Sequence, residues 1–293
     1  MPLPPRFVPV MPFLFVLLWS TGFIGAKFGL PYAEPLTFLS IRYVLVITLM
    51  TALALAMRAP WPREPRQILH IGVTGLLVHG FYLGGVFVAI HHGLPAGIAA
   101  LIVGMQPLLT ALGAGWLLGE RVTARQWIGL ALGFIGVALV VSNKAGTGAA
   151  TMSDFGMMLV PVTVALFAIT LGTLYQKRFC PTFDLRTGSV VQFVPTLALT
   201  ALLAWGLETR QVTWSGEFLF ALGWLVIVLS LGAISLLNLL IRSGSAVNVA
   251  SLFYLTPPTT ALMAWALFGE TLTALAVTGM AVAVAGVWLA RKR

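Results

Sequence analysis

Residues 119–125 read GERVTAR, and residues 269–275 read GETLTAL. Gly, Glu, Thr and Ala keep their places at an offset of 150 positions, whereas both arginines of the first copy are absent from the second. The same offset matches 100–139 with 250–289, including Ala100/Ala250, Pro107/Pro257, Thr110/Thr260, Gly129/Gly279 and Gly136/Gly286. A fixed internal offset indicates a duplicated unit. The sequence therefore predicts two homologous halves.

Composition determines the class of protein. Of the 293 residues, 59% are hydrophobic and only 9% are charged, and the mean hydropathy is +0.99. Soluble domains carry about a quarter charged residues. We interpret the chain as a membrane protein, whose partner is the lipid bilayer. The net charge of +9 sits mainly in membrane-flanking loops, so we expect no nucleic-acid partner.

Ten apolar stretches are long enough to cross a bilayer, which takes about 20 helical residues. They are predicted at 8–29, 35–57, 68–91, 95–118, 124–142, 155–177, 185–206, 217–241, 246–268 and 274–290. The short connections leave no room for a soluble domain. The predicted fold is all-α, with a first five-helix repeat at 8–142 and a second at 155–290.

The odd number of helices in each half determines the topology. Two homologous units of five spans must enter the membrane in opposite orientations, which makes them inverted repeats around a central cavity. The side that holds both termini carries thirteen of the seventeen lysines and arginines. Positive charge stays in the cytoplasm. Both termini are therefore predicted to be cytoplasmic.

Prolines interrupt the fourth and ninth spans. Pro107, Pro257 and Pro258 each remove a backbone hydrogen bond and displace the preceding turn. Gln106 flanks the first break, so polar side chains and freed carbonyls would meet near the midplane. One interpretation makes these prolines hinges, and the other makes them packing kinks.

Two basic residues near the outer ends of the first two spans need an explanation. Lys27 shares a helical face with Ser20, beside Trp19 and Phe23. Its ammonium either snorkels to the interface or faces the cavity and attracts a substrate carboxylate. Arg42 has the same alternatives, with pairing to Glu34 as a third.

Several polar and aromatic residues of later spans are candidates for the site. His79 lies in the middle of the third span with Tyr82 one turn on, and imidazole titrates near neutral pH. It either couples transport to protons or bonds a neighbouring helix. Asn238 has an interhelical bond as its alternative role, and Tyr254 offers aromatic surface. We expect no metal site, because the single cysteine and the paired histidines lack ligand partners, and no cofactor.

The shared glutamates, Glu120 and Glu270, are interpreted as parts of a turn. Each follows a glycine suited to a helix C-terminus and precedes a threonine suited to an N-cap. Thr123 and Gln126 also match a capping box.

The chain resembles the drug/metabolite transporter superfamily, of the bacterial EamA type. The resemblance rests on WSTGFIGAKFG at 19–29, on IRY at 41–43, and on the twin P-x(11)-GE stretches ending at Glu120 and Glu270. It is most similar to bacterial exporters of amino acids, including aromatic ones. This implies a bacterial inner-membrane protein in which spans 1, 3, 4, 6, 8 and 9 surround the cavity.

The predicted function is secondary export of amino acids or similar small metabolites by alternating access. No Walker A motif is present to use ATP. The alternatives are a multidrug or other metabolite exporter and, from another class, an intramembrane enzyme, for which no constellation of paired carboxylates or histidines is evident. The candidate substrate-binding residues are Trp19, Ser20, Phe23, His79, Tyr82, Gln106, Asn238 and Tyr254.

Overall fold

The computed structural model describes residues 10–94, 96–142, 152–268 and 272–291, and these ranges are helical apart from short connections. The helices in chain order are α1 (Met11–Gly29), α2 (Pro35–Ala56), α3 (Pro65–His91), α4 (Ala96–Val103), α5 (Gln106–Leu118), α6 (Ala124–Ser142), α7 (Met152–Phe179), α8 (Leu185–Leu207), α9 (Gly216–Ser243), α10 (Ala246–Ser251), α11 (Thr256–Phe268) and α12 (Ala274–Arg291).

The described helices suit a bilayer. Eight stretches of them are long and apolar enough to cross a membrane, and Met11–Gly22 is a shorter apolar helix. Large apolar side chains face outward, as Phe13 and Trp116 do with 72% and 90% of their surface exposed. Helices satisfy their own backbone groups, so they can present such surfaces to lipid. The chain is an all-helical, multi-pass membrane protein.

Helical hydrogen bonding is interrupted just before each predicted proline break. Helix α4 ends at Val103, and α5 begins at Gln106 with Pro107 in its first turn. Later in the chain, α10 passes into a 3₁₀ turn at Leu252–Leu255 before α11 begins at Thr256. Proline is tolerated in a first helical turn, where its missing N–H would have no partner.

Two further irregularities occur inside long helices. A π-helical segment at Leu76–Phe81 interrupts α3, and a second at Leu225–Ala233 interrupts α9. Such segments widen the helix by one residue and are frequent at functional sites. The Tyr43 hydroxyl donates to the backbone carbonyl of His79 within the first one, at 2.7 Å.

Helices α6 and α12 approach one another through glycines. A methyl group added at Gly129 would lie 2.6 Å from the carbonyl oxygen of Gly286, and one added at Gly136 would lie 2.3 Å from the nitrogen of Ala283. Gly129, early in α6, contacts Gly286, late in α12. Gly136, later in α6, contacts Gly279, earlier in α12, so the two helices run antiparallel. Small residues allow this backbone approach, which supplies much of the packing within a bilayer.

The turn at 119–125 has the predicted caps. Gly119 ends α5 with a φ of +67°, a left-handed conformation that glycine adopts without strain. The Gln126 amide donates to the Thr123 hydroxyl at 3.2 Å, and the Thr123 amide donates to the Gln126 side chain at 3.0 Å. The capping box is therefore confirmed. Glu270, in the second copy of the turn, lies outside the described residues.

Glu120 caps a helix that begins 126 positions later. Its carboxylate oxygens accept from the Ala246 amide, at 3.1 and 3.2 Å, at the start of α10. The Lys177 ammonium lies 3.8 Å from the same carboxylate. A negative group suits the unpaired N–H groups of a helix N-terminus. The glutamate thus connects this turn to α7 and α10.

We expect Glu120→Ala to lower the free energy of unfolding by about 1–2 kcal/mol, because the Ala246 amide loses its acceptor, although Ser245 still caps α10 through the Asn248 amide. The partly exposed pair with Lys177 contributes little. The unfolding midpoint of the purified protein in detergent measures this. Glu120→Gln should recover most of the loss, because it keeps an acceptor oxygen. Glu64→Ala is the matched control, since the exposed Glu64 makes no capping bond. Equal midpoints for both alanine variants would contradict the assigned role.

Carboxylates also organise the opposite end of the molecule. Glu208, just after α8, accepts from the amides of Leu36 and Thr37 at the start of α2, each at 2.7 Å. Glu34 accepts from the hydroxyl of Thr209 at 2.6 Å and from its amide. The hydroxyl bond is the main reason that the pKa of Glu34 lies below its usual value. Glu208 and Glu34 thus each accept from backbone amides of a neighbouring segment.

Candidate functional site

Four aromatic side chains meet where α1, α3 and the 3₁₀ turn come together. The Trp19 ring stacks on Tyr82, with centroids 6.4 Å apart and an interplanar angle of 11°. Phe253 meets Trp19 edge-on at 5.3 Å, and Phe15 lies 5.3 Å from Trp19 on the same helix. Stacked and edge-to-face geometries are the preferred arrangements of aromatic pairs. This aromatic cluster (Phe15, Trp19, Tyr82 and Phe253) unites two of the predicted site residues.

Ser20 lies at the break between α10 and α11. Its hydroxyl is within hydrogen-bond distance of the Val16 carbonyl at 2.7 Å and of the Thr256 carbonyl at 3.3 Å. The Thr260 hydroxyl donates to the Ser20 carbonyl at 3.4 Å. A proline at position 257 frees nearby backbone groups, and a small hydroxyl of α1 reaches them. Ser20 therefore joins the first span to the second break.

Buried polar atoms without partners surround both breaks in the described part of the chain. Both side-chain atoms of Gln106 and the Thr110 hydroxyl lack partners beside the first break, and the Thr256 hydroxyl lacks one at the second. All three side chains are buried. A buried polar group without a partner costs about 1–3 kcal/mol. Such groups can bind a polar solute or water when the surrounding helices separate.

Tyr254 lies apart from the aromatic cluster. Its ring packs against Gly133 of α6 and within a separate apolar cluster that includes Ala111 and Leu174. Its hydroxyl has no partner among the described residues. The 3₁₀ turn directs the preceding side chain, Phe253, toward Trp19 instead. The structure brings Trp19 and Tyr82 together but leaves Tyr254 outside this group.

His79 is buried within the first π-helical segment. Its imidazole stacks on Phe193 of α8, with centroids 4.3 Å apart and planes inclined by 13°. Gln192 and Arg42 are its polar neighbours. Its Nδ1 atom has no partner within the described ranges. The histidine is thus packed between helices and keeps an unused polar atom.

Asn238 bridges two helices. Its side-chain oxygen accepts from the amide of Gln176 on α7 at 2.8 Å, which is the interhelical bond expected of such a residue. Its Nδ2 atom has no partner in the described part of the structure. One half of the amide therefore holds α7 to α9, and the other half is free to bind.

The two basic residues have different outcomes. The side chains of Lys27 and Phe23 lie outside the described part of the structure, although both residues belong to α1. Arg42 is fully buried, and its Nε and Nη2 atoms donate to the Ser230 hydroxyl at 3.0 and 2.9 Å. Glu34 is engaged by Thr209 instead. Arg42 therefore neither snorkels nor pairs with Glu34.

Phe253, Gln192 and Ser230 were missed by reasoning from the sequence alone. An apolar aromatic in an apolar run carries no signal of its own, and the π-helical segment around Ser230 is not marked by proline. The offset of 150 positions could have drawn attention to Gln192, since it makes that residue the equivalent of Arg42 in the second half of the sequence. Equivalent polar positions in both halves are the signal that was available.

Comparison with protein families gives the assignment. The model of the EamA-like transporter family matches twice, at residues 8–142 and 155–291. The chain belongs to this family. The resemblance read from WSTGFIGAKFG and the P-x(11)-GE stretches is confirmed.

Relatives of this EamA-like transporter are named as transporters or efflux pumps. It is 27% identical to the Escherichia coli (strain K12) "Uncharacterized inner membrane transporter YedA", over 97% of this chain and 91% of the relative. It is also 27% identical to the "Probable amino-acid metabolite efflux pump" of Salmonella typhimurium, over 94% and 92%. The "Probable terminal-alkyne amino-acid exporter" of Streptantibioticus cattleyicolor is 27% identical over 96% and 92%.

A solved crystal structure shares the fold. It superposes with a TM-score of 0.81 and 20% identity, covering 96% of this chain and 95% of that one. The described helices and their order thus correspond to an architecture observed by experiment.

Proposed function

We propose that this EamA-like transporter is a secondary exporter of amino acids or similar small metabolites in the bacterial inner membrane. The observation that carries the proposal is the group of buried polar side chains without described partners at the two helix breaks, the second of which adjoins the aromatic cluster through Phe253. Broken helices with polar groups near the midplane are typical of solute sites in secondary transporters. The names of the Salmonella and Streptantibioticus relatives support an amino-acid substrate.

The mechanism we propose is alternating access between two inverted five-helix repeats. In this proposal α4 and α5 form one span, α10 and α11 form another, and the ten spans divide at 8–142 and 155–290. The reciprocal glycine contacts support it: Gly129 touches Gly286, and Gly136 touches Gly279, while Gly279 and Gly286 are the 150-residue equivalents of Gly129 and Gly136. Such reciprocity is expected of a two-fold axis. Pro107, Pro257 and Pro258 would act as the hinges.

Opposite orientation of the repeats is tested by labelling in intact cells. In a Cys180→Ser background, cysteine at Val122 should react only after the membrane is permeabilised, and cysteine at Leu272 should react with an impermeant maleimide from outside. The reason is that the two positions occupy equivalent turns of oppositely inserted units with both termini cytoplasmic. Labelling of both positions from the same side would contradict the inverted repeat.

The transport function is tested by counterflow in proteoliposomes. Purified protein is reconstituted with an internal pool of each amino acid, and accumulation of the labelled external amino acid is followed with and without a pH gradient. Accumulation above protein-free liposomes is expected for at least one member of the panel. A response only to unrelated hydrophobic cations would favour the second candidate, a multidrug exporter. The aromatic cluster could also bind such cations through its ring faces.

His79 is the candidate for coupling or substrate contact. We expect His79→Ala to reduce counterflow about tenfold or more per folded molecule, because the π-helical segment loses both its ring stack on Phe193 and its free Nδ1 atom. Membrane insertion should persist, since no span loses hydrophobicity. Recovery of the protein in washed membranes reports insertion, and size-exclusion chromatography after purification reports folding. Initial rates with and without a pH gradient report coupling. Unchanged rates would remove His79 from the site.

A further inference from the structure

Arg42 is a buried guanidinium that the described contacts satisfy only in part. It lies seven positions into α2 and has no exposed surface. Nε and Nη2 share one acceptor, the Ser230 hydroxyl, while Nη1 has no partner among the described residues. A guanidinium has five N–H donors in a planar fork. Most of its donor capacity is therefore unused.

Five of the carboxylates that the structure describes are engaged by groups other than Arg42. The seven acidic residues within the described ranges lie in connections or in the first turn of a helix. Among the described ones, Glu34 serves Thr209, Glu120 serves Ala246, Asp184 pairs with Arg186, Glu208 caps α2 and Glu217 accepts from Tyr32. An unpaired buried charge is costly, so buried charges are nearly always paired. The counter-ion of Arg42 is thus not one of these groups.

The surroundings of Arg42 contain further unused polar atoms. His79 on α3 is a polar neighbour of Arg42, and Gln192 on α8 is in turn a polar neighbour of His79. His79 Nδ1 and Gln192 Oε1 are buried without partners among the described residues. Ser230 belongs to the π-helical segment of α9, and His79 belongs to that of α3. Of the four helices that carry these residues, α2, α3, α8 and α9, two are therefore irregular where they meet Arg42. Such segments are frequent at functional sites.

We propose that Arg42, together with Ser230 and His79, forms a buried binding site for the carboxylate of the transported solute. This inference rests on the proposed transport function and specifies the substrate class as carboxylate-bearing. The planar fork matches a carboxylate in bidentate geometry, and the Ser230 hydroxyl and the imidazole supply further hydrogen bonds. The apolar part of the solute would contact aromatic side chains.

Arg242, on the helix that carries Ser230, provides a contrast to Arg42. Its guanidinium also has atoms without described partners, but it lies over the Phe183 ring at 4.0 Å and near Asp184 at the end of α9. Its charge is stabilised by an aromatic face and an acidic neighbour. Of these two arginines, Arg42 is the one that is fully buried and has no acidic neighbour among the described residues.

The test measures the preference for a carboxylate with two matched sets of probes. One set is L-phenylalanine, 3-phenylpropionate and phenethylamine, and the other is L-leucine, 4-methylpentanoate and 3-methylbutylamine. Binding to purified full-length protein is measured by ligand-dependent thermal stabilisation. In at least one set, the wild type should bind the carboxylate-bearing members more tightly than the amine. Arg42→Gln should weaken them about 10- to 100-fold and leave the amine unchanged.

Two variants accompany this substitution. Arg42→Lys keeps the charge but loses the fork, so carboxylate binding should fall by roughly three- to tenfold, and this variant also provides a folded alternative if Arg42→Gln is unstable. Arg242→Gln is the matched control and should keep the wild-type preference. A purely structural role of Arg42 would lower stability without changing the ratio of carboxylate to amine binding.

The outcomes separate this inference from the proposed function. Amino-acid counterflow by the wild type with an unchanged preference in Arg42→Gln and Arg42→Lys would overturn the carboxylate site and leave the exporter. Arg42-dependent binding of 3-phenylpropionate or 4-methylpentanoate without any amino-acid counterflow would support the site and overturn the exporter. Equal binding of amine and carboxylate by the wild type would also overturn the site.

Discussion

Gly136→Leu is expected to remove most of the folded protein. A methyl group at this position would lie 2.3 Å from the backbone nitrogen of Ala283 and 2.7 Å from the carbonyl oxygen of Gly279. Backbone atoms cannot move aside as a side chain can, so α6 and α12 would have to separate. Intrusion into a packed core costs about 1–3 kcal/mol for small changes, and a leucine should exceed this range. The yield of monodisperse protein and its unfolding midpoint measure the effect.

Gly223→Leu is the matched control for this substitution. Gly223 also lies inside a helix, but no heavy atom is within 4 Å of an added methyl group there. Replacing glycine in an open helix position is neutral or slightly stabilising, because glycine is a weak helix former. We therefore expect wild-type behaviour from Gly223→Leu. Equal yields from the two leucine variants would show that the contact between α6 and α12 does not stabilise the fold.

Trp19→Ala is expected to reduce transport about tenfold or more while the chain still inserts. The substitution removes the central ring of the aromatic cluster, which stacks on Tyr82 and meets Phe253 edge-on. A large buried aromatic contributes about 3–5 kcal/mol to its surroundings, so the neighbours should lose their fixed positions. Counterflow per folded molecule, with folding verified by chromatography, reports the change.

Trp116→Ala is the control for the loss of a tryptophan. Trp116 is 90% exposed on α5, where it faces outward. Its removal should leave counterflow within about twofold of the wild type, because surface substitutions have small effects. A Trp19→Ala protein with the same rate as Trp116→Ala would place Trp19 outside the transport site.

Local features of this fold were predictable from the sequence. Hydropathy alone marks long apolar helices, because the bilayer imposes their length. Prolines at 107 and 257 marked both breaks, since proline disturbs the turn before it wherever it stands. The capping box of Thr123 and Gln126 was also predictable, because all its contacts lie within four residues of the sequence.

The candidate site was less predictable because its contacts are not local. Whether Tyr254 or Phe253 meets Trp19 depends on how one 3₁₀ turn rotates the backbone, which no hydropathy pattern encodes. The partner of Arg42 is 188 positions away on α9. The carboxylate of Glu120 likewise caps a helix in the other half of the chain. Such pairings require three-dimensional structure.

The separation of Arg42 from Ser230 also has a consequence for biosynthesis. At about 5–20 residues per second, translation reaches Ser230 roughly 10–40 s after Arg42, since 188 positions lie between them. An arginine at the centre of a membrane helix costs about 2.5–3.5 kcal/mol on insertion. Throughout that interval, the insertion cost of Arg42 must be offset by the apolar residues of α2 itself. The mean hydropathy of this helix is 2.0. The composition of α2 is therefore constrained by the order of synthesis as well as by the finished structure.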